Sequence, residues 1–178
     1  MRKLMKNLDS MCLRYRDGKI ELLDQRLLPQ REEWVRMADH EQMIQAIKTL
    51  AIRGAPAIGV GAALALAQEA MRGAPAGELK RMARELYEAR PTAVNLMWAM
   101  DRLALKVDLE KLGPEHVIQG AWDIFEEDVR LCQEMAKNGF DLIQDGDNIL
   151  THCNTGGLAT VGIGTALGVI RHAYESGK

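Results

Sequence analysis

The segment that most constrains the fold is residues 148–174, NILTHCNTGGLATVGIGTALGVIRHAY. It follows an Asp145-Gly146-Asp147 turn, and its short apolar run predicts a buried strand over 148–152. Residues 157–174 predict a helix. A strand that runs into a helix is the opening of a βαβ unit, and a parallel strand needs neighbours to satisfy its backbone groups. The other strands that we predict form a hairpin far upstream, so this strand must pair with another chain or belong to a longer protein. We favour the longer protein.

The upstream sequence predicts a hairpin followed by helices. Leu13–Arg16 and Lys19–Leu23 flank Asp17-Gly18, which is a strong hairpin signal. Apolar spacing then predicts five helices, over 40–50, from Pro56 onward, over 77–89, after a capping Thr92, and from Pro114 toward Ile143. We place the domain boundary at the Asp145-Gly146-Asp147 turn, between residues 1–145 and residues 146–178.

Composition excludes several classes of protein. A hydrophobic content of 47% with 27% charged residues is ordinary for a folded soluble chain. The net charge of -2 provides no field for nucleic acid or a membrane surface, and the longest apolar stretch is too short for a spanning helix. The N-terminus lacks a cleavable signal, so we expect a cytoplasmic protein. Three scattered cysteines, without CxxC or HxxxH spacing, predict neither a disulfide framework nor a metal site.

Two arginines each stand directly before a helix start. Arg53 precedes Gly54-Ala55, and Arg90 precedes Pro91. A guanidinium and the free N–H groups of a first helical turn can bind one anion together. A solvated arginine at a helix boundary is the alternative, and the spacing leaves both open.

Cys153 lies where the predicted strand meets the predicted helix. This is the edge at which α/β folds place ligands. Gly162, Gly164 and Gly168 fall inside the predicted helix, so the pattern is not a dinucleotide fingerprint. A catalytic thiol and a packed core residue are both consistent with this position, whereas Cys12 and Cys132 are predicted to be core.

Four segments carry a resemblance to a known family: DGKIELLDQRLLP, IRGAPAIGVGAALALA, RPTAVNLMWAMDRL and ILTHCNTGGLATVGIGTALGVIRHA. In this order they resemble the methylthioribose-1-phosphate isomerase family, in the superfamily that also holds the translation initiation factor 2B regulatory subunits. The resemblance implies an aldose–ketose isomerase (an intramolecular oxidoreductase) of methionine salvage. Such an enzyme converts 5-methylthioribose 1-phosphate into 5-methylthioribulose 1-phosphate without a cofactor.

The resemblance also assigns residues and a fold. It implies that Cys153 is catalytic, together with an aspartate that no matching motif of this chain supplies. It implies that Arg53, Gly54, Ala55 and Arg90 bind the sugar-phosphate substrate. The implied fold is α/β, with an N-terminal β-hairpin and mostly helical domain, followed by the first strand–helix unit of a Rossmann-like domain that is otherwise missing. Family members are longer than this chain and are expected to be homodimers. The chain alone is expected to be inactive and poorly soluble, because it would expose an unpaired strand edge.

Three alternatives remain open at this point. A paralogous isomerase acting on ribose 1,5-bisphosphate or 5-deoxyribose 1-phosphate shares the arginines and the cysteine. A non-catalytic regulatory protein of the initiation factor type is also consistent, although the intact THCN weighs against it. In the third alternative the domain is structural and Cys153 is core.

Overall fold

The computed structural model describes residues 7–178 of the chain. It begins with a four-stranded antiparallel sheet of order β1-β2-β3-β4, whose strands are β1 Leu8–Asp9, β2 Leu13–Arg16, β3 Lys19–Leu23 and β4 Trp34–Met37. The β2–β3 turn is made by Asp17 and Gly18, which both have positive φ angles, of 50° and 76°. Such angles match the turn to the right-handed twist of the strands, and the predicted hairpin is confirmed.

Helices make up most of the remaining structure. They are α1 His40–Lys48, α2 Ala55–Met71, α3 Ala76–Glu88, α4 Val94–Met100, α5 Leu109–Leu112, α6 Pro114–Gly139 and α7 Ala166–Glu175. A π-helical stretch, Asp101–Leu105, extends α4, and a 3₁₀ turn, Phe140–Leu142, follows α6. None of these helices is long and apolar enough to cross a membrane.

Helix α2 is the centre of the helical bundle. Every residue of it from Ala57 to Ala70 is buried, because a helix that is apolar on all sides is stable only when other elements surround it. Gly59 allows α4 to approach closely, since a Cβ on Gly59 would lie 2.9 Å from the Asn95 carbonyl oxygen. Helix α2 therefore packs at this glycine directly against the backbone of α4.

The strand predicted over 148–152 is wrong for the chain as described. Residues 144–154 have no regular structure and are exposed, and the side chain of Leu150 is 96% accessible. Within residues 7–178 no strand lies beside this run. Its backbone N–H and C=O groups are therefore hydrated, and an extended conformation would gain no inter-strand hydrogen bonds. Of the predicted strand–helix unit only the helix is present, and the Rossmann-like domain stays a prediction.

Two helix starts were also predicted wrongly. Helix α7 begins at Ala166 rather than Gly157, because Gly164 has a φ of +103° that an α-helix does not accommodate. Residues 156 and 164 instead form an isolated antiparallel bridge. The residue that precedes α4 is Ala93, with no capping side chain, so Thr92 does not cap that helix.

Candidate functional site

A cleft of about 310 Å³ lies between the start of α2, the α3–α4 loop and the segment that precedes α7. It brings together Gly54, Ala55, Arg90 and Cys153, which are far apart in the sequence. Its other lining residues are Pro56, Ile58, Thr92, Ala93, Asn154, Ala159, Thr160 and Thr165. Four of the five predicted site residues thus share one cleft, although the role of each stays a prediction.

Gly54 permits a close approach of two backbone segments in the cleft wall. Its φ is +85°, and a Cβ built on it would lie 2.4 Å from Cα of Ala159. The next turn reinforces this contact, because the Ala57 N–H donates to the Ala159 carbonyl at 3.1 Å. The RGA sequence therefore allows the start of α2 to dock against the backbone near Ala159.

This docking uses one of the N–H groups that we expected to bind an anion. Pro56 has no N–H, and the Ala57 N–H bonds to the Ala159 carbonyl. The Ile58 N–H makes the first intrahelical bond, to the Gly54 carbonyl at 3.0 Å. Arg53 is exposed and is not among the lining residues. Arg90, which is half-buried, is the positively charged residue among those that line the cleft. We expect it to make the main contact with the anion.

Cys153 is an exposed residue rather than a core residue. Its φ of +68° is a backbone angle that residues other than glycine rarely adopt. Thr165, which directly precedes α7, lines the same cleft, so a helix start does lie near the thiol. Within residues 7–178, Cys153 is therefore not a packed core residue.

Our sequence reasoning missed most polar side chains of the cleft, namely Thr92, Asn154, Thr160 and Thr165. Asn154 and Thr160 lie within the THCNTGGLAT motif, so proximity to Cys153 was a signal for them. The hydroxyl of Thr160 donates to the Gly162 carbonyl at 3.1 Å. Among the described lining residues there is no aspartate or glutamate.

Behind this wall, burial changes the acidity of three groups. It raises the pKa of Cys12 to about 12, and it raises the pKa of Cys132, to which the nearby Asp128 carboxylate adds. Burial also raises the pKa of Asp128, although N–H donors from Val161 and Gly162 oppose the shift. Cys12 and Cys132 are therefore protonated core thiols, as predicted, and Cys153 is the exposed one.

Comparison with known proteins places the chain in a family. The model of the initiation factor 2 subunit family matches residues 51–178. The chain belongs to this family. Among curated relatives, the methylthioribose-1-phosphate isomerase of Anaeromyxobacter sp. (strain Fw109-5) is 46% identical over 166 residues, which are 92% of this chain and 48% of that protein. The same enzyme of Serratia proteamaculans is 43% identical over 98% of this chain and 51% of its own length.

Solved structures agree with the sequence relatives. The 5-methylthioribose 1-phosphate isomerase of Pyrococcus horikoshii superposes with a TM-score of 0.83 and 34% identity, over 99% of this chain and 52% of that chain. The translation initiation factor eIF-2B delta subunit of A. fulgidus gives 0.77 and 39%, over 96% and 52%. The chain thus spans about half the length of the curated relatives it matches, and the predicted resemblance is confirmed.

Proposed function

We propose that the protein acts as an aldose–ketose isomerase that converts 5-methylthioribose 1-phosphate into 5-methylthioribulose 1-phosphate in methionine salvage. The observation that carries this proposal is that relatives named for this enzyme, 42% to 46% identical, match nearly the whole chain. The cleft supports it, since it combines an arginine, three threonine hydroxyls, an amide and an exposed thiol. These groups suit a phosphorylated sugar.

The chemistry assigns a task to each group. Phosphate on C1 keeps the sugar closed as a ring, so the enzyme must open the ring and move one hydrogen from C2 to C1. In our proposal Arg90 holds the phosphate, because a guanidinium stays charged and can bond two oxygens at once. The thiol of Cys153 takes part in the hydrogen transfer. The carboxylate that works with it is expected from outside the described lining, and no bound cofactor takes part.

A regulatory function without catalysis is the second candidate. It is favoured by the 39% identity to a structure described as an initiation factor subunit. An exposed thiol and an arginine in one cleft favour catalysis, since a sensing module would need the phosphate contact but not the thiol. For the substituent at C5, the names of the relatives favour methylthio over a 5-phospho or 5-deoxy sugar.

The test uses the protein expressed from its full reading frame. 5-Methylthioribose 1-phosphate, 5-deoxyribose 1-phosphate and ribose 1,5-bisphosphate are supplied separately, and ketose formation is followed by NMR. We expect the highest kcat/KM for the methylthio sugar. A higher value for either other sugar would support a paralogous isomerase. Binding of all three sugars without ketose formation would support the regulatory function. Cytoplasmic location and a homodimer complete the proposal, and sedimentation of the protein tests the dimer.

A further inference from the structure

Four consecutive residues beside the cleft, Leu158–Val161, are each bonded to a different part of the chain; we call them the anchored segment. The Leu158 carbonyl accepts from Gln25 Nε2 at 2.8 Å, and the Ala159 carbonyl accepts from the Ala57 N–H at 3.1 Å. The Thr160 carbonyl accepts from the Cys12 thiol at 3.2 Å, and the Val161 N–H donates to Asp128 Oδ2 at 2.7 Å. A loop bonded at each residue in this way has little freedom to shift.

Asp128 differs from the other three anchors because it is a carboxylate. Hydrogen bonds to an ionised acceptor are roughly twice as strong as those between neutral groups. Asp128 lies on α6, and the Gly162 N–H acts on the same carboxylate. It is absent from the lining of the cleft, and its contact with the cleft wall is through the backbone of the anchored segment.

The anchored segment connects two walls of the cleft. Ala159 and Thr160 line it, and Ala159 also packs on Gly54 and accepts from Ala57 at the start of α2. A shift of the anchored segment would therefore move Ala159 and Thr160 relative to Arg90 and Cys153, which line the same cleft. Misplacement of bound groups by about 1 Å can lower a rate by about a hundredfold.

We propose that Asp128 is a positioning residue of this site, which holds the Val161 N–H and so fixes the cleft wall of Ala159 and Thr160 against the start of α2. The expected effect of Asp128 on turnover rests on the proposed function, whereas its expected effect on the anchored segment does not. Two measurements distinguish these two effects. Amide hydrogen exchange of a peptide covering residues 157–163 reports the segment, and kcat and KM for 5-methylthioribose 1-phosphate report the reaction.

The variants are Asp128→Ala and Asp128→Asn in the protein expressed from its full reading frame, with Asp123→Ala as the matched control. Asp123 is exposed on the same helix, and its carboxylate accepts from Gln119 rather than from the anchored segment. We expect exchange over 157–163 to rise at least tenfold in Asp128→Ala and less in Asp128→Asn, because a carboxamide oxygen still accepts one N–H. The control should exchange like wild type. We expect kcat/KM to fall in the same order, with a loss of about tenfold or more for Asp128→Ala.

Unchanged exchange over 157–163 in Asp128→Ala would overturn the proposal, whatever the activity. Faster exchange with unchanged kcat/KM would overturn it as well, because the segment would then not position reacting groups. A wild type without turnover would refute the proposed function separately, and exchange alone would then decide whether Asp128 holds the segment. If Asp128→Ala fails to fold, Asp128→Asn and Gln25→Ala, which releases the Leu158 carbonyl, test the same anchoring.

Discussion

Two neighbouring stretches of the site differ sharply in how they are held. The run Asn148–Asn154, which we call the exposed run, has every side chain exposed, including Leu150 at 96% and Ile149 at 45%. The anchored segment begins only four residues later and is bonded to four other parts of the chain. The exposed run includes residues 148–152, for which the sequence predicts a strand. It forms no strand because no described strand lies beside it, so the available backbone partners decide which of the two stretches is held in place.

The two stretches also have different roles in the proposed site. The exposed run supplies the thiol of Cys153, while the anchored segment supplies a wall of defined position. A change in the first should alter chemistry with little effect on stability. A change in the second should alter both.

The largest expected effect is on turnover in Cys153→Ser. Loss of a group that transfers a proton or hydrogen costs typically 10²–10⁴-fold, and we expect kcat to fall by about this factor. The melting temperature should stay unchanged, because the side chain is exposed. Ketose formation and thermal unfolding measure the two quantities. Activity near wild type would show that the thiol takes no part in the reaction.

Cys12→Ala is the contrasting variant, because Cys12 is one of the groups that hold the anchored segment. It removes the thiol that donates to the Thr160 carbonyl, and it should cost about 1–3 kcal/mol in the free energy of unfolding. A stability loss in Cys153→Ser as large as that in Cys12→Ala would erase the distinction between the stretches.

The next effect concerns the two arginines. Family resemblance implies that both bind substrate, but the cleft lining contains Arg90 and not Arg53. Hydrogen bonds to charged groups are worth about 1.5–3 kcal/mol, so Arg90→Ala should raise KM by roughly 10- to 100-fold. Arg53→Ala should raise KM by less. An unchanged KM in Arg53→Ala would remove Arg53 from the anion site, and a larger effect there than in Arg90→Ala would contradict the geometry of the cleft.

Gly54→Ala tests the contact that docks the anchored segment on α2. Gly54 and Gly73 have similar positive φ angles, of +85° and +91°, and both would be strained by about 1–3 kcal/mol as alanine. Only Gly54 has a neighbour that the new Cβ would strike, since Gly73 has nothing within 4 Å. Gly54→Ala should therefore lower the free energy of unfolding by more than Gly73→Ala, as measured by denaturant unfolding. Equal losses would mean that the contact with Ala159 contributes nothing.

Local chemistry made much of this fold predictable. The Asp17-Gly18 turn and the prolines at helix starts act on adjacent residues, so the hairpin and the starts of α2 and α6 were confirmed within about one residue. The same reasoning failed at Ala166, because the late start of α7 depends on the bridge between residues 156 and 164. It also missed Asp128, whose role depends on contact with Val161, 33 positions along the chain. Sequence patterns predicted Arg90 and Cys153, which line the same cleft, but not the groups that hold its walls.

The smallest expected effect is at Leu150, and it tests the exposed run directly. Leu150→Ala removes a side chain that contacts mostly water, so the free energy of unfolding should change by less than about 0.5 kcal/mol. Leu66→Ala is the matched control, because the same truncation in the fully buried α2 should cost about 2–5 kcal/mol. Both are measured by denaturant unfolding of the protein expressed from its full reading frame. A cost at Leu150 close to that at Leu66 would mean that the run is buried in solution. The strand predicted there would then form once a neighbouring strand is present, and the contrast between the two stretches would belong to the described chain rather than to the whole protein.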